Sequence, residues 1–349
     1  MNDAWQSFLS HQGAQSDNEG RIQFKGVSSE INAAASGDVI ADLSHLALIQ
    51  VSGEDAETFL LSQLTNDLRL VDKQHSQLSA YCTPKGRMLA IFRIYANDSG
   101  YLLQMPTTIA DSIVPRLRMY VMRSKVTLEP ADGLVCIGFA GPRAEEALKS
   151  VTAGVPQQTN ETLAHDGILV TRLPGDQPRF TAIADSESAQ SIWQQLVETL
   201  TAVGTAAWSW LEIKAGQPVV LPGTAEAFVP QMANLDLIDG INFKKGCYPG
   251  QEIVARMQYL GKLKQRMISA HINSSEAPKP GDSLFAPGFR DQSVGTVVDA
   301  QPSPESGYDL LAVAKLAAID AGELHHDTVD GPTLELTDLP YALPTATES

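Results

Sequence analysis

Residues 228–266 read FVPQMANLDLIDGINFKKGCYPGQEIVARMQYLGKLKQR, and the centre of this stretch carries the most specific chemistry in the chain. Tyr248, Pro249, Gly250 and Gln251 have turn character, because proline presets φ at the second position and glycine accepts positive φ at the third. Cys247 then stands at the mouth of a tight turn. Lys244 and Lys245 precede it, and nearby positive charge favours thiolate over thiol, so the spacing predicts a reactive sulphur. Glu252 follows five residues on, placed to anchor a lysine or to accept from a ligand. Taken alone, a single cysteine is most often a small buried hydrophobe; the neighbours argue for more.

Charge is distributed unevenly around this stretch. The chain has a net charge of −16, which repels polyanions and counts against direct nucleic-acid binding. Yet Lys244, Lys245, Arg256, Lys262, Lys264 and Arg266 fall within residues 241–266 against one acid, Glu252. Beyond Lys315 no Lys or Arg occurs, while Asp320, Glu323, Asp327, Asp330, Glu335 and Asp338 accumulate. A charge run is more often a solvated face than a docking site. Cys82, Cys136 and Cys247 are too few and too far apart for a disulfide framework, a zinc knuckle or a self-held iron–sulphur cluster, so reduced thiols are expected. His325, His326 and Asp327 are read as surface, with no metal site assigned. No run approaches the roughly 20 apolar residues of a membrane span, and the N-terminal segment lacks signal-peptide character, so a cytoplasmic protein without membrane partners is expected.

At 349 residues, of which 43% are hydrophobic and 19% charged, the chain is globular and long enough for two or three cores. Residues 1–20 lack periodicity and read as a loose tail. Leu46–Val51 reads as a strand, followed by a helix whose stripe is Ala56, Phe59, Leu60, Leu64 and Leu68. Residues 87–96 and 101–105 flank a turn at 97–100, predicting an antiparallel hairpin. A helical pattern through Ile109, Ile113, Leu117 and Tyr120 closes a first lobe over 21–130. A second lobe over 131–264 mixes strands and helices without parallel repetition, which points to an α+β fold. No GxGxxG or P-loop pattern supports a nucleotide cofactor. Residues 265–341 alternate short β-like pieces with turn clusters, and 342–349 trail off.

The run Lys245-Gly246-Cys247-Tyr248-Pro249-Gly250-Gln251-Glu252, continued by Arg256, resembles the K-G-C-Y-x-G-Q-E signature of the YgfZ family, within the GcvT (aminomethyltransferase-like) superfamily. DLSHLALIQVSGEDAETFLLSQLTNDL at 42–68, YCTPKGRMLAIFRI at 81–94 and WSWLEIKAGQP at 208–218 follow the family's order. The resemblance implies a three-lobed cloverleaf around a central tetrahydrofolate channel, with a small C-terminal β-barrel-like domain and the cysteine motif at the channel's rim. It implies Trp208, Leu46 and Lys214 as folate-binding positions, Cys247 as the working thiol, and iron–sulphur client or assembly proteins as partners, among them an enzyme that thiomethylates tRNA. The sequence leaves open whether Trp208 lines a ligand site or is a core tryptophan beside Trp210. Two departures from the superfamily matter. Ala90 and Ile91 occupy its acidic positions, and neither can move a proton, so aminomethyltransferase chemistry is not expected. Lys214 replaces a glutamate that would accept from the pyrimidine edge, and Glu212 could compensate only in a strand, not in a helix. The alternatives are a folate-dependent aminomethyltransferase or demethylase, and a non-catalytic module with a vestigial folate pocket whose basic segment docks an acidic partner.

Overall fold

The computed structural model describes residues 2–17, 20–259, 261, 263–290 and 292–344. Lys262 and the end of the expected C-terminal tail, 345–349, lie outside the described residues. Three large sheets and a two-stranded one, Gln15–Ser16 with Ile22–Gln23, organise the described residues, and helices mix with strands as the α+β reading requires.

The first sheet is antiparallel, in the order Gln77–Cys82, Met88–Asn97, Gly100–Pro106, Leu46–Ser52 and Thr127–Pro130. The predicted hairpin is present, with Asn97 opposite Gly100. Strand Met88–Asn97 is buried on both faces, which explains its nearly unbroken apolar run. Ala90, Phe92 and Ile94 pack with Phe59, Leu60, Ile113 and Leu117 of the helices Ala56–Gln63 and Thr107–Arg118, while Ile91 enters a different core with Phe228, Ile241, Val254 and Met267. The expected helical stripe is cut short. Leu64 adopts extended backbone after Gln63 and bridges to Tyr81, so Leu64 reaches the core from a loop and Leu68 from the 3-10 turn Leu68–Leu70.

The second sheet runs Thr162–His165, Ile168–Leu173, Arg179–Asp185, Leu134–Ala140, Val39–Asp42 and Thr201–Val203. Strand Val39–Asp42 corrects the sequence reading, which placed it in the first lobe. It pairs with Leu134–Ala140 and, in parallel, with Thr201–Val203, so the chain enters the second sheet before building the first. The expected N-terminal tail likewise contains ordered structure within residues 2–17. Asp3–His11 is a helix capped by Asn2, with Trp5 and Leu9 buried; its apolar residues pack beside Trp193, and Trp5 Nε1 donates to Asp42 Oδ1 at 2.7 Å.

The third sheet is a six-stranded curled half-barrel ordered His325–His326, Ser283–Phe285, Gly295–Pro302, Tyr308–Lys315, Gln265–Ile272 and Leu334–Thr337. His325 and His326 are a buried strand rather than surface: His326 Nε2 contacts Asp282 Oδ2 at 3.0 Å and His325 Nε2 contacts Glu323 Oε1 at 3.1 Å. Among the described residues no group of three or more His, Cys, Asp or Glu could hold a metal, and no helix is long and apolar enough to cross a membrane.

Helix Thr205–Lys214 joins the second and third sheets. Trp210 Nε1 donates to Asp309 Oδ2 at 2.7 Å, and His271 Nδ1 lies 2.9 Å from Asp309 Oδ1. Residues 217–250 hold two 3-10 turns and no longer element. They were assigned to the second lobe, yet Val220, Phe228, Leu235 and Ile241 pack between the first and third sheets.

Candidate functional site

Three segments far apart in sequence converge on the bend that carries Cys247. The first is Leu61–Asp67, at the end of helix Ala56–Gln63. Thr65 Oγ1 donates to the Gly240 carbonyl at 2.8 Å, Asn242 N to the Thr65 carbonyl at 3.0 Å, and Asn66 Nδ2 to the Asp239 carbonyl at 2.6 Å. The second is the hairpin turn Thr83–Arg87. The third is the octapeptide itself.

Its turn forms as predicted: Gln251 N donates to the Tyr248 carbonyl at 3.2 Å, and Gly250 has φ of 83°. Gly250 also lies against the hairpin turn so closely that a Cβ there would sit 2.5 Å from the Thr83 carbonyl oxygen and 2.7 Å from Gly86 N. Met88 extends this contact, its N–H donating to the Phe228 carbonyl and its carbonyl accepting from Glu226 N, both at 2.8 Å. Thus 81–94 and 245–252 form one joint.

Lys245 secures the other side. It is buried, and its Nζ donates to the Leu61 and Leu64 carbonyls at 2.5 and 2.6 Å, capping the negative end of helix Ala56–Gln63. The ammonium also lies 4.8 Å from the centre of the buried Tyr248 ring, a cation–π contact. Burial pulls its pKa down to about 8, opposed by the charge of Asp67. Asp67 is itself gripped by both arms of Arg69, at 2.9 and 2.6 Å, which holds its carboxyl below the usual range.

A lysine titrating lower when folded means that the unfolded chain holds the proton between about 8 and its ordinary 10.5, so this residue adds stability as pH rises through that window. Lys245→Met lacks the gain. The stability difference between wild type and Lys245→Met, measured by urea unfolding, is expected to widen from pH 7 to pH 10; a difference that narrows contradicts this account.

Cys247 sits between these two anchors, exposed, whereas Cys82 and Cys136 are buried. Burial pushes each of those two thiols up to about 12, which suppresses their thiolates at neutral pH. The expected exposed bend is therefore present, but its electrostatics differ from the sequence reading. Lys245 points inward. Arg266 is also withdrawn, clasping Asp236 at 2.6 and 2.9 Å and the Gln231 carbonyl at 2.9 Å. Lys244, Arg256 and Lys264 remain exposed. On helix Gln251–Tyr259 only Val254 is buried; Glu252 and Arg256 face solvent without pairing to each other, and Gln251 Nε2 reaches back to the Gly246 carbonyl at 3.5 Å.

The three positions that the resemblance implies for folate do not converge. Trp208 is 1% exposed, its ring so close to Gly138 that a Cβ there would meet it at 2.4 Å, with the Arg179 guanidinium 4.9 Å from its centre. It is a core tryptophan, filled on the faces where a pterin would stack. Lys214 lies at the far end of the same helix, 3.9 Å from Asp309 Oδ2 and 6.0 Å from the Trp210 ring. Glu212 is about 200° around the helix from it and pairs with Arg179 at 2.6 Å, so it does not stand in for Lys214. Leu46 borders a hollow of about 460 Å³, walled also by Trp5, Ser44, Thr107, Asp111 and Cys136, which neither Trp208 nor Lys214 lines. As a set, these three residues do not form one pterin slot.

Ala90 and Ile91 are both buried in apolar cores, so no carboxylate acts from either position.

Comparison with known proteins places the chain. Residues 4–168 match the model described as the GCVT N-terminal domain. The protein of Klebsiella pneumoniae called "tRNA-modifying protein YgfZ" is 32% identical over 86% of this chain and 92% of its own length. The chain belongs to the YgfZ family. A second YgfZ, from Colwellia psychrerythraea, is 33% identical over 70% of this chain and 75% of its own length. The fold is that of the GcvT superfamily: the glycine cleavage system aminomethyltransferase T of Bartonella henselae superposes with a TM-score of 0.78 at 18% identity, over 97% of this chain and 96% of that one.

Within this YgfZ fold, sequence reasoning missed the capping role of Lys245 and the polar seam around Arg93, Arg179 and Glu212. The signal for the seam was present in Ile91-Phe92-Arg93-Ile94-Tyr95, an arginine inside a strand otherwise apolar on both faces.

Proposed function

We propose that this chain is a folate-binding accessory protein for the assembly or repair of iron–sulphur proteins, including enzymes that thiomethylate tRNA, and that it acts through the thiol of Cys247. One observation carries the reading: the exposed thiol occupies a bend locked on both sides by Lys245 and Gly250, while the other two are buried. Such a thiol can attack one sulphur of a partner's disulfide or persulfide, breaking that S–S bond and releasing the other sulphur as a thiolate, or lend one thiolate to a cluster whose remaining ligands come from a client. The name of the relatives, tRNA-modifying protein, supports the tRNA side of the proposal. The apolar surroundings of Ala90 and Ile91 favour an accessory role over aminomethyl transfer.

The folate part rests on the superfamily fold and on the hollow bordered by Leu46, whose volume suits a small ligand. Because Trp208 and Lys214 face elsewhere, no step is assigned to the folate. Tetrahydrofolate titration, followed by tryptophan fluorescence, is expected to quench Trp5, which walls the hollow, and Trp5→Phe is expected to lose most of that signal. A flat response at millimolar ligand removes folate from the proposal and leaves the thiol role standing.

A further inference from the structure

Between the first two sheets the chain buries more cationic than anionic charge. Arg93 projects from strand Met88–Asn97, on the face it shares with Tyr95 and, across the ladder, with Gln104. It is half-buried, and among the described residues one of its five N–H donors has a partner, with Nη1 donating to Asn160 Oδ1 at 2.6 Å, while the others are not sealed from solvent. Asn160 is fixed for this: it has φ of 67°, its carbonyl accepts from Ser76 N at 2.8 Å, and its N–H reaches the Arg172 carbonyl at 2.9 Å. Opposite, on the second sheet, Arg179 is 1% exposed. Its Nη1 donates to the Pro174 carbonyl at 2.9 Å and its Nη2 to Glu212 at 2.6 Å, while its buried Nε has no partner. Thr171, on the same sheet face, has a buried hydroxyl that also lacks one.

Two guanidiniums thus share one carboxylate, Glu212, which Arg179 already holds. The groups whose charge acts on Arg93 are Tyr95, Glu212 and Arg179, and burial lowers its pKa, the signature of a cation short of compensation. What the seam lacks is an acceptor bearing negative charge, since an unpaired buried donor is costly.

The geometry points to an oxyanion subsite in this seam, where Arg93, held by Asn160 and backed by Arg179, takes a carboxylate or phosphate group of a small ligand. The assignment goes beyond the folate reading, because it depends on charge and free donors, not on a pterin surface. Planar guanidinium forks match both groups in paired hydrogen bonds.

The test is binding by the full-length protein, read as ligand-dependent shift of the thermal midpoint and as tryptophan fluorescence. The probes are inorganic phosphate, 5-formyltetrahydrofolate, which carries glutamyl carboxylates, and 6-methyltetrahydropterin, which carries none. Saturable binding of phosphate or of the folate, weakened at least tenfold by Arg93→Gln and partly kept by Arg93→Lys, supports the subsite. Should Arg93→Gln not fold, Arg93→Lys and Thr171→Val carry the test, with binding expected to weaken severalfold in each. Anion binding unchanged by these variants overturns the assignment, as does the absence of saturable anion binding to wild type. Methylpterin binding without anion binding removes the subsite and leaves the folate reading intact; phosphate binding without either pterin does the reverse.

Discussion

Cys247→Ser is expected to lose at least tenfold of the chain's ability to restore tRNA thiomethylation in a strain lacking it, with its folding midpoint unchanged. Both halves follow from exposure. The thiol is exposed, and surface substitutions away from special features stay within about 0.5 kcal/mol. The two buried cysteines should behave in the opposite way. Cys136 Sγ accepts from Gln104 Nε2 at 3.2 Å, so Cys136→Ala strands a buried donor and is expected to cost about 1–3 kcal/mol. Cys82 packs with Ala80, Met88 and Ile91, and Cys82→Ala leaves a small void worth about 1 kcal/mol. Per mole of folded protein, both should still rescue. Mass spectrometry of the modified nucleoside, normalised to soluble protein, separates the cases, and iodoacetamide should label one thiol in the native protein and three after denaturation. Full rescue by Cys247→Ser would remove this residue from the mechanism.

Much of the architecture was legible in short-range chemistry. The hairpin 88–106 is written in a turn of Asn97, Asp98, Ser99 and Gly100 between apolar runs, and the bend at 248–251 in a proline–glycine pair; both are decided by neighbours in sequence. What stayed hidden depends on distant residues. Nothing local announces that Val39–Asp42 belongs to the second sheet, because its partner strands lie about a hundred residues or more away and an apolar tetrapeptide suits either lobe. The N-terminal helix was overlooked because Trp5 and Leu9 are only two apolar anchors, and their value comes from Trp193 and Asp42.

The bend at Cys247 is exposed, as the sequence leads one to expect, and of the two lysines before it only Lys244 lies at the surface. The sequence reads Lys245 as positive charge beside the thiol; it is also a buried cap whose partners are backbone carbonyls, which sequence cannot display. Lys214 and Glu212 were separable in advance, since helix or strand decides whether they share a face, and the helix settles it. Trp208 could not be settled from sequence, because Gly138, the residue that admits its ring, gives no local sign of the contact.

Gly250→Ala is expected to be the most damaging single methyl in the motif. A Cβ at this position meets the Thr83 carbonyl oxygen, Gly86 Cα and Gly86 N at 2.5, 2.6 and 2.7 Å, all backbone atoms that cannot rotate away. The φ of 83° adds a second cost, since an L side chain in left-handed backbone forfeits about 1–2 kcal/mol. Overpacking of this kind adds about 1–3 kcal/mol, so a loss on the order of 3 kcal/mol is expected. The loss should not stop at stability. The joint between Thr83–Arg87 and Gly250 is one of the two anchors of the bend, so opening it frees Cys247 to leave its fixed position, and rescue should fall even where folded protein remains. Gly246→Ala is the control. A Cβ there meets nothing within 4 Å, and its backbone is not left-handed, so the same added methyl is expected to change stability by less than about 0.5 kcal/mol. Urea unfolding of both variants decides the matter: if the two alanines cost the same, the backbone contact between the hairpin turn and the cysteine bend is not what holds the thiol in place.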